Sequence, residues 1–287
     1  NYGQGIFEGM KAYRTETDRI VLFRPDMNAR RIADGAERFM MPPVPEKLFR
    51  EACAAVVRSN ADWVPPVGMG ELYLRPLLFG SGAALGVAPS TEYTLVIYAA
   101  PVGKYFKAGE GARMRIETDH HRAAPRGVGD VKAAGNYAPC FAAQAAAKSA
   151  GFSDVVYLDS AGKYIEEAAA SNFFCVGSDG VLRTPSLGTI LGGVTRNSVL
   201  QLARGLLASG GGGLKGVEES SVTVDSVRDA TEAFVTGTGA GITPIEHIEF
   251  PEGSVDLQVP GPVTRALQET LQAIHLERIP DTRGWLF

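Results

Sequence analysis

The sequence predicts a mixed α and β protein of two unequal parts, and three observations predict it. Helical and strand periodicities alternate along the chain. At 287 residues it is long enough for two domains or one large one. Its 45% of apolar residues suit a chain of this size, which buries about three-quarters of the surface its unfolded form exposes and needs no disulfide or metal to fold.

The elements come in order. Pro25 after Arg24 opens a helix over 25–41, with Met27, Ile32, Ala36 and Met40 close to helical spacing, and Pro42-Pro43-Val44-Pro45 stops it. Glu46–Ser59 reads as a second helix, and Pro65-Pro66 punctuates the chain beyond it. Glu71–Phe79 and Tyr93–Ala99 read as strands. In the first, Leu72, Leu74 and Pro76 face one way and Tyr73, Arg75 and Leu77 the other, so Tyr73 and Arg75 address the same space. Residues 101–112 hold three glycines and no periodicity, which makes them the best linker. Beyond them come a strand over Arg113–Thr118, a glycine-rich segment at 127–135, and an alanine-rich helix from about Ala138 to Ala150 closed by Gly151. Strand patterns Asp154–Leu158 and Asn172–Val176 flank Lys163–Glu167. Thr195 to about Leu207 reads as a helix, Ala233–Thr236 as a strand and Pro262–His275 as the last helix. There is no internal repeat.

Composition removes several classes of function. A net charge of −4 and a pI near 5.7, without a basic block, leave no electrostatic footprint for nucleic acid or an anionic membrane. No stretch approaches the roughly 20 consecutive apolar residues of a membrane span. Cys53, Cys140 and Cys175 are odd in number and far apart, which fits a reduced, intracellular setting and implies neither zinc nor a disulfide framework. His120-His121, His247 and His275 have no ligand spacing, so no metal is expected. The chain opens on Asn1 with no targeting pattern; the start reads as trimmed, which leaves cytoplasm, plastid and mitochondrion all open.

Glycine is the outlier, 34 in 287 residues, or about 12% against a usual ~7%. Its clusters at Gly127-Val128-Gly129, Gly192-Gly193 and Gly237-Thr238-Gly239-Ala240-Gly241 offer bare backbone N–H groups to an anion. The last resembles a dinucleotide loop, but it is G-x-G-x-G, and Pro244 stands where a helix should start, so a Rossmann fold is disfavoured. There is no P-loop.

Eight of the 28 basic residues are lysines. Most lie in polar surroundings; Lys132 lies in small, mostly uncharged sequence, 127–137. Taken alone, it would be an ordinary loop lysine with its amine in water. Its company changes that reading. Glu166 and Glu167 lead into a buried strand pattern, and Ile190-Leu-Gly-Gly-Val-Thr-Arg196 sets backbone N–H groups at a helix start, a ready phosphate site. Thr236-Gly-Thr-Gly239 could add donors. A lysine with a desolvated amine, a carboxylate, a tyrosine and two phosphate-type turns match pyridoxal 5′-phosphate (PLP) better than any nucleotide.

These residues sit within longer stretches. Asn1–Tyr13, Leu22–Pro25, Leu72–Pro76, Val131–Tyr137, Glu166-Glu167 with Asn172-Phe173, Ile190–Arg196 and Thr236–Thr238 together resemble the branched-chain amino acid aminotransferases, in wording closest to plant and algal members. The resemblance implies fold type IV: a smaller α/β domain over 1–102, an interdomain loop over 103–110 and a larger pseudo-barrel domain over 111–287. It implies PLP-dependent transamination of leucine, isoleucine and valine with 2-oxoglutarate, as in branched-chain amino acid biosynthesis, by a homodimer at minimum. By motif, Lys132 would bind the cofactor covalently and shuttle the proton. Glu167 would hold the ring nitrogen protonated and Tyr137 would bond the phenolic oxygen. Arg30, the backbone of Val194 and Thr195, and Thr238 would bind the phosphate. Tyr73 and the Thr238–Gly239 backbone would take the substrate α-carboxylate, and Arg75 the distal carboxylate of glutamate. Phe7, with Tyr2 and Val87 from a partner subunit, would line the side-chain pocket, an apolar lining with one reachable arginine.

The sequence departs from that family's pattern at Ala168-Ala169-Ala170, at Gly192 for a usual proline, at Gly239 and at Asp130; the Cys-x-x-Cys of some animal members is absent. The alternatives are a D-amino acid aminotransferase or an aminodeoxychorismate lyase on the same fold, and a PLP-binding homologue without catalysis. The Tyr73-x-Arg75-Pro76 strand and the Phe7–Lys11 start argue against the first two. The presence of Lys132, Glu167, Tyr137 and Arg75 argues against the third.

Overall fold

The computed structural model describes residues 2–103 and 111–287. All of the expected interdomain loop but Gly103 lies outside them. The chain divides into two compact units, one of Asn1–Tyr105, Val131–Gly135 and Gln272–Phe287, the other of Phe106–Asp130 and Asn136–Leu271.

The first unit holds strands β1 (Gly5–Phe7), β2 (Met10–Arg14) and β3 (Ile20–Leu22), helices α1 (Pro25–Arg38) and α2 (Glu46–Ser59), and strands β4 (Glu71–Gly80) and β5 (Tyr93–Val102). The antiparallel sheet is organised on β4. One edge of its ten residues takes β1 (Phe7↔Leu77) and then β2 (Met10↔Leu74), while the other takes β5 along its full length. Leu72, Leu74, Pro76 and Leu78 are buried in strict alternation, as a one-faced strand requires. The helices bury Ile32 and Ala36 of α1 and Phe49, Cys53 and Val57 of α2. Helix α1 stops short of the proline run: Met40 adopts φ 55°, and Met41 N donates back to Ala36 O at 2.8 Å, a Schellman closure made without glycine. The 131–135 segment belongs to this unit because Ile6 bridges Ala133 and Phe7 N donates to Lys132 O at 3.1 Å.

The second unit holds β6 (Ala112–Glu117), α3 (Phe141–Ser149), β7 (Asp154–Leu158), β8 (Tyr164–Ala168), β9 (Asn172–Gly177), β10 (Val181–Thr184), α4 (Val194–Ala208), β11 (Gly216–Glu219), β12 (Val222–Thr223), α5 (Val224–Arg228), β13 (Ala230–Gly237), β14 (Gly241–Glu249) and β15 (Ser254–Asp256). Helix α6 (Pro262–His275) comes last, and its final turn falls in the first unit. The sheet runs β11-β10-β9-β13-β14-β6-β7-β8-β12. Strand β8 also pairs with β9, through Glu167↔Asn172, so the path from β9 through β13, β14, β6 and β7 to β8 closes on itself. This closed path is the expected pseudo-barrel.

Period-two patterning fills it. Met114, Ile116, Val156, Leu158, Phe173, Cys175, Ala233 and Val235 form one apolar cluster, two alternate residues from each of four strands. The intervening Val155 and Tyr157 pack against Ala143 and Ala147 of α3. The Gly237–Gly241 cluster is a β-hairpin turn between β13 and β14, with Gly237 paired to Gly241 at φ 65°, so no helix starts there. One irregularity bears on function. Val156 pairs with Ala168 and Leu158 with Ile165, so β8 carries one extra residue across Glu166-Glu167, a bulge.

Candidate active site

In the first unit, the tripeptide Phe7-Glu8-Gly9 at the end of β1 arranges the surroundings of Lys132. The Lys132 amine lies 4.6 Å from the centre of the Phe7 ring, and the Arg75 guanidinium lies 4.7 Å from it. Glu8 is fully buried. It accepts from Arg31 Nε at 2.7 Å and Nη2 at 2.8 Å, from Asn28 Nδ2 at 2.6 Å and from Gly9 N at 3.1 Å. Gly9 leaves room for Tyr73, whose hydroxyl would stand 2.0 Å from a Cβ there. Tyr73 and Arg75 share a face of β4, as the alternation requires, and Arg75 Nη2 donates to Tyr73 Oη at 2.9 Å. Burial first, then the positive charge of Arg31, pushes the Lys132 amine down to about 8, against the opposing pull of Glu8. An amine so depressed is neutral often enough near physiological pH to act as a nucleophile.

Arg30 does not join this cluster. Its side chain is 64% exposed and faces Glu46 of α2 at 3.8 Å. The phase of α1 is the reason: Asn28, Ala29, Ile32, Gly35 and Ala36 form the buried face, which carries Arg31 inward and Arg30 out. Tyr2 and Val87 are exposed, at 56% and 84%, and the Tyr2 hydroxyl donates to the Leu85 carbonyl of its own chain.

In the second unit, the barrel seam carries the acidic group. Glu167 is 2% exposed. It accepts from Arg122 Nη1 at 2.6 Å and Leu191 N at 3.2 Å through Oε1, and from Asn172 Nδ2 at 3.1 Å through Oε2. Such a set pairs a buried carboxylate and fixes the direction of its oxygens. Arg122 also donates from Nε to Ala169 O at 3.2 Å and lies over the Tyr137 ring at 5.6 Å. The Ala168–Ala170 run thus contributes a backbone acceptor. Asn172 links the seam to the start of α4: its Nδ2 donates to Leu191 O at 2.8 Å, and its Oδ1 would lie 2.1 Å from a Cβ on Gly193. Gly193 is the residue before α4, and no side chain caps that helix. The N-terminal N–H groups, on Val194 and Thr195 among others, are therefore left for an anion. Thr238 and Gly239 lie in the β13–β14 turn, next to Thr236, whose buried hydroxyl has no hydrogen-bond partner among the described residues. Among the described residues no cluster of side chains could hold a metal ion, and no helix is long and apolar enough to cross a membrane.

The lysine of the first unit, and the oriented carboxylate, tyrosine and helix start of the second, are each of the kind that the reactive carbon, the ring and the phosphate of PLP take. The amino-transferase class IV family model matches residues 5–248. The chain belongs to the class IV aminotransferases. This aminotransferase is a PLP-dependent enzyme. It is 46% identical to branched-chain-amino-acid aminotransferase 6 of Arabidopsis thaliana, over all of this chain and 79% of that protein. It is equally identical to the mitochondrial branched-chain-amino-acid aminotransferase 1 of the same plant, over all of this chain and 73% of the relative. The branched-chain amino acid aminotransferase of Thermobaculum terrenum, solved in its PLP form, superposes with a TM-score of 0.85 at 27% identity, covering all of this chain and 89% of that one.

Glu8, Asn28, Arg31, Arg122 and Asn172 are the site residues that sequence reasoning missed. Helix phase could have found Arg31 and Asn28. Arg122 and Glu8 carry no local signal, because their partners lie 45 and 23 residues away.

Proposed function

We propose that this enzyme moves the amino group of leucine, isoleucine or valine to 2-oxoglutarate, with Lys132 as the residue that binds the cofactor and transfers the proton. Transamination of branched-chain amino acids is its activity; the acceptor and the residue roles are what is proposed. When bound, PLP supplies an aldehyde that takes up an amino group and a ring that accepts the electron pair released at the substrate Cα.

The chain's own groups do the rest. Lys132 Nζ would hold the cofactor at its aldehyde carbon, and the same amine would take the proton from the substrate Cα. Glu167, fixed by Arg122, Asn172 and the Leu191 N–H, would face the ring nitrogen and favour its protonated form. Tyr137 bonds the phenolic oxygen. The N–H groups of Val194 and Thr195 bind the phosphate together with Thr238. On the first unit Arg31, whose side chain is 14% exposed and whose charge acts on Lys132, would serve in place of the outward-facing Arg30 as an arginine for that anion. Tyr73 takes the substrate α-carboxylate together with the Thr238–Gly239 backbone. Arg75 takes the distal carboxylate of glutamate; with an apolar substrate its guanidinium stays over Phe7, which keeps a cation in an apolar wall at low cost. The exposed apolar side chains Leu85, Val87, Val96 and Tyr98 of the first unit support a homodimer in which Tyr2 and Val87 reach the partner's pocket. The mitochondrial relative supports an organellar location.

The observation that carries the reading is the Lys132 amine over the Phe7 ring, with Arg75 at the same ring and bonded to Tyr73. An amino-donor panel with 2-oxoglutarate, monitored by glutamate formation, tests it. Turnover of the three branched-chain L-amino acids is expected. Turnover of D-alanine or aminodeoxychorismate in their place would overturn it.

A further inference from the structure

The proposed function uses one of two adjacent glutamates on β8. Glu166 is nearly as buried, at 6% exposure, and has no part in it. A second buried carboxyl group in such a place calls for a reason, since desolvation and like charge both work against it.

In a regular strand consecutive side chains point to opposite faces, so Glu166 and Glu167 should diverge. The extra residue that β8 carries between Ile165 and Ala168 lifts that constraint, and bulges re-aim side chains in this way. Both carboxyls reach the same stretch, the 185–193 loop between β10 and α4. Thr189 Oγ1 donates to Glu166 Oε1, and two residues on, Leu191 N donates to Glu167 Oε1 at 3.2 Å. The loop is gripped elsewhere as well. Arg196 Nη2 donates to Pro185 O at 2.8 Å, and a Cβ on Gly129 would lie 2.0 Å from the Thr189 carbonyl oxygen. Between these ties Ser186, Leu187 and Gly188 are exposed, so Thr189 is where the loop regains the protein interior.

We propose that Glu166 is a positioning residue: by anchoring Thr189 it sets the course of the loop that brings Leu191 to Glu167 and leads into the first turn of α4. The inference rests on the assignment of Glu167 and that turn to the cofactor. Burial holds the Glu166 carboxyl above its ordinary range, with Asp159 adding to the rise and Thr189, Arg122 and His121 opposing it. An oxygen that accepts one hydrogen bond, from Thr189 Oγ1, is what the amide oxygen of glutamine can imitate.

The test is PLP binding to apoprotein, together with the absorbance of the bound cofactor, for the parent, Glu166→Ala, Glu166→Gln, Thr189→Val, the double variant Glu166→Ala/Thr189→Val, and Glu167→Ala. Glu166→Ala and Thr189→Val should each weaken PLP about tenfold, the scale of a buried hydrogen bond left unmade. The double variant should be no weaker than the poorer single one, because both remove the same link. Glu166→Gln should bind like the parent. Parent-like binding by Thr189→Val, or fully additive losses, would overturn the proposal, and Thr189→Val with Glu166→Gln carries the test if Glu166→Ala does not fold. If Glu167→Ala weakens PLP while Glu166→Ala does not, this inference alone fails. If Glu167→Ala binds like the parent, the cofactor assignment fails with it.

Discussion

Gly9→Ala is a one-carbon change whose consequence can be worked from the coordinates. The new Cβ would stand 2.0 Å from the Tyr73 hydroxyl and 2.9 Å from its Cζ, where ordinary contact begins at 3.4 Å. The phenol must therefore retreat by about 1.4 Å, and overpacking of this kind costs about 1–3 kcal/mol. The Arg75 hydrogen bond to that hydroxyl, 2.9 Å long, does not survive such a shift. If Tyr73 binds the substrate α-carboxylate, a hydrogen bond to a charged group worth about 1.5–3 kcal/mol goes with it. At about 1.4 kcal/mol per tenfold, kcat/KM for leucine should fall roughly ten- to a hundredfold. Cofactor absorbance should persist, because Lys132 and Glu167 are untouched. Steady-state kinetics of Gly9→Ala, Tyr73→Ala and the double variant provide the assay. The second change should cost little on top of the first, since both disable the same phenol. Parent-like kcat/KM in Gly9→Ala, or additive losses in the double variant, would refute the reasoning.

Two further predictions rest on titration. The rate at which apoprotein takes up PLP should rise with pH through a midpoint near 8, because the neutral Lys132 amine is the reactive form; a midpoint near the 10.5 of an unperturbed lysine would contradict the burial argument. His275, whose Nε2 is buried without a partner and whose ring stacks on Tyr13 at 4.2 Å, has its pKa lowered from 6.5 to about 3 by burial, with Lys11 adding to the effect. The unfolded chain thus binds a proton that the folded one refuses. The contribution of His275 is complete above pH 6.5 and is lost as the pH falls toward 3, by at most about 1.4 kcal/mol per pH unit. Urea unfolding of the parent and His275→Phe at pH 7 and pH 5 should show the smaller decline in the variant, and equal declines would count against it.

Much of this structure was legible in the sequence where one local rule governs. The alternation of Leu72, Leu74 and Pro76 placed Tyr73 and Arg75 together, and Gly151 closed α3 as its position suggested. Strands β1–β3 and β14 escaped because they are short or carry polar residues and Pro244, so period two is faint; their pairing comes from distant partners such as β4 and β6. The end of α1 was misjudged because Met40 supplies a left-handed residue where glycine is usual. Within the site, Lys132, Glu167 and the turn before α4 stood out by residue type and setting. What orients them did not. The Glu8–Arg31 pair and the Arg122–Glu167 pair join residues far apart in the chain, and the bulge at Glu166-Glu167 exists only through pairing with β7. Helix phase alone separates Arg30, which turns outward, from Arg31, which turns toward Glu8.

Of the eight lysines, Lys132 is the one proposed to carry the cofactor. Borohydride reduction of the holoenzyme, then proteolysis and mass mapping, tests it directly. The reduced pyridoxyl mass should sit on Lys132, and Lys132→Ala should retain neither label nor turnover. A label on any other lysine, or an undiminished cofactor absorbance in Lys132→Ala, would contradict the account.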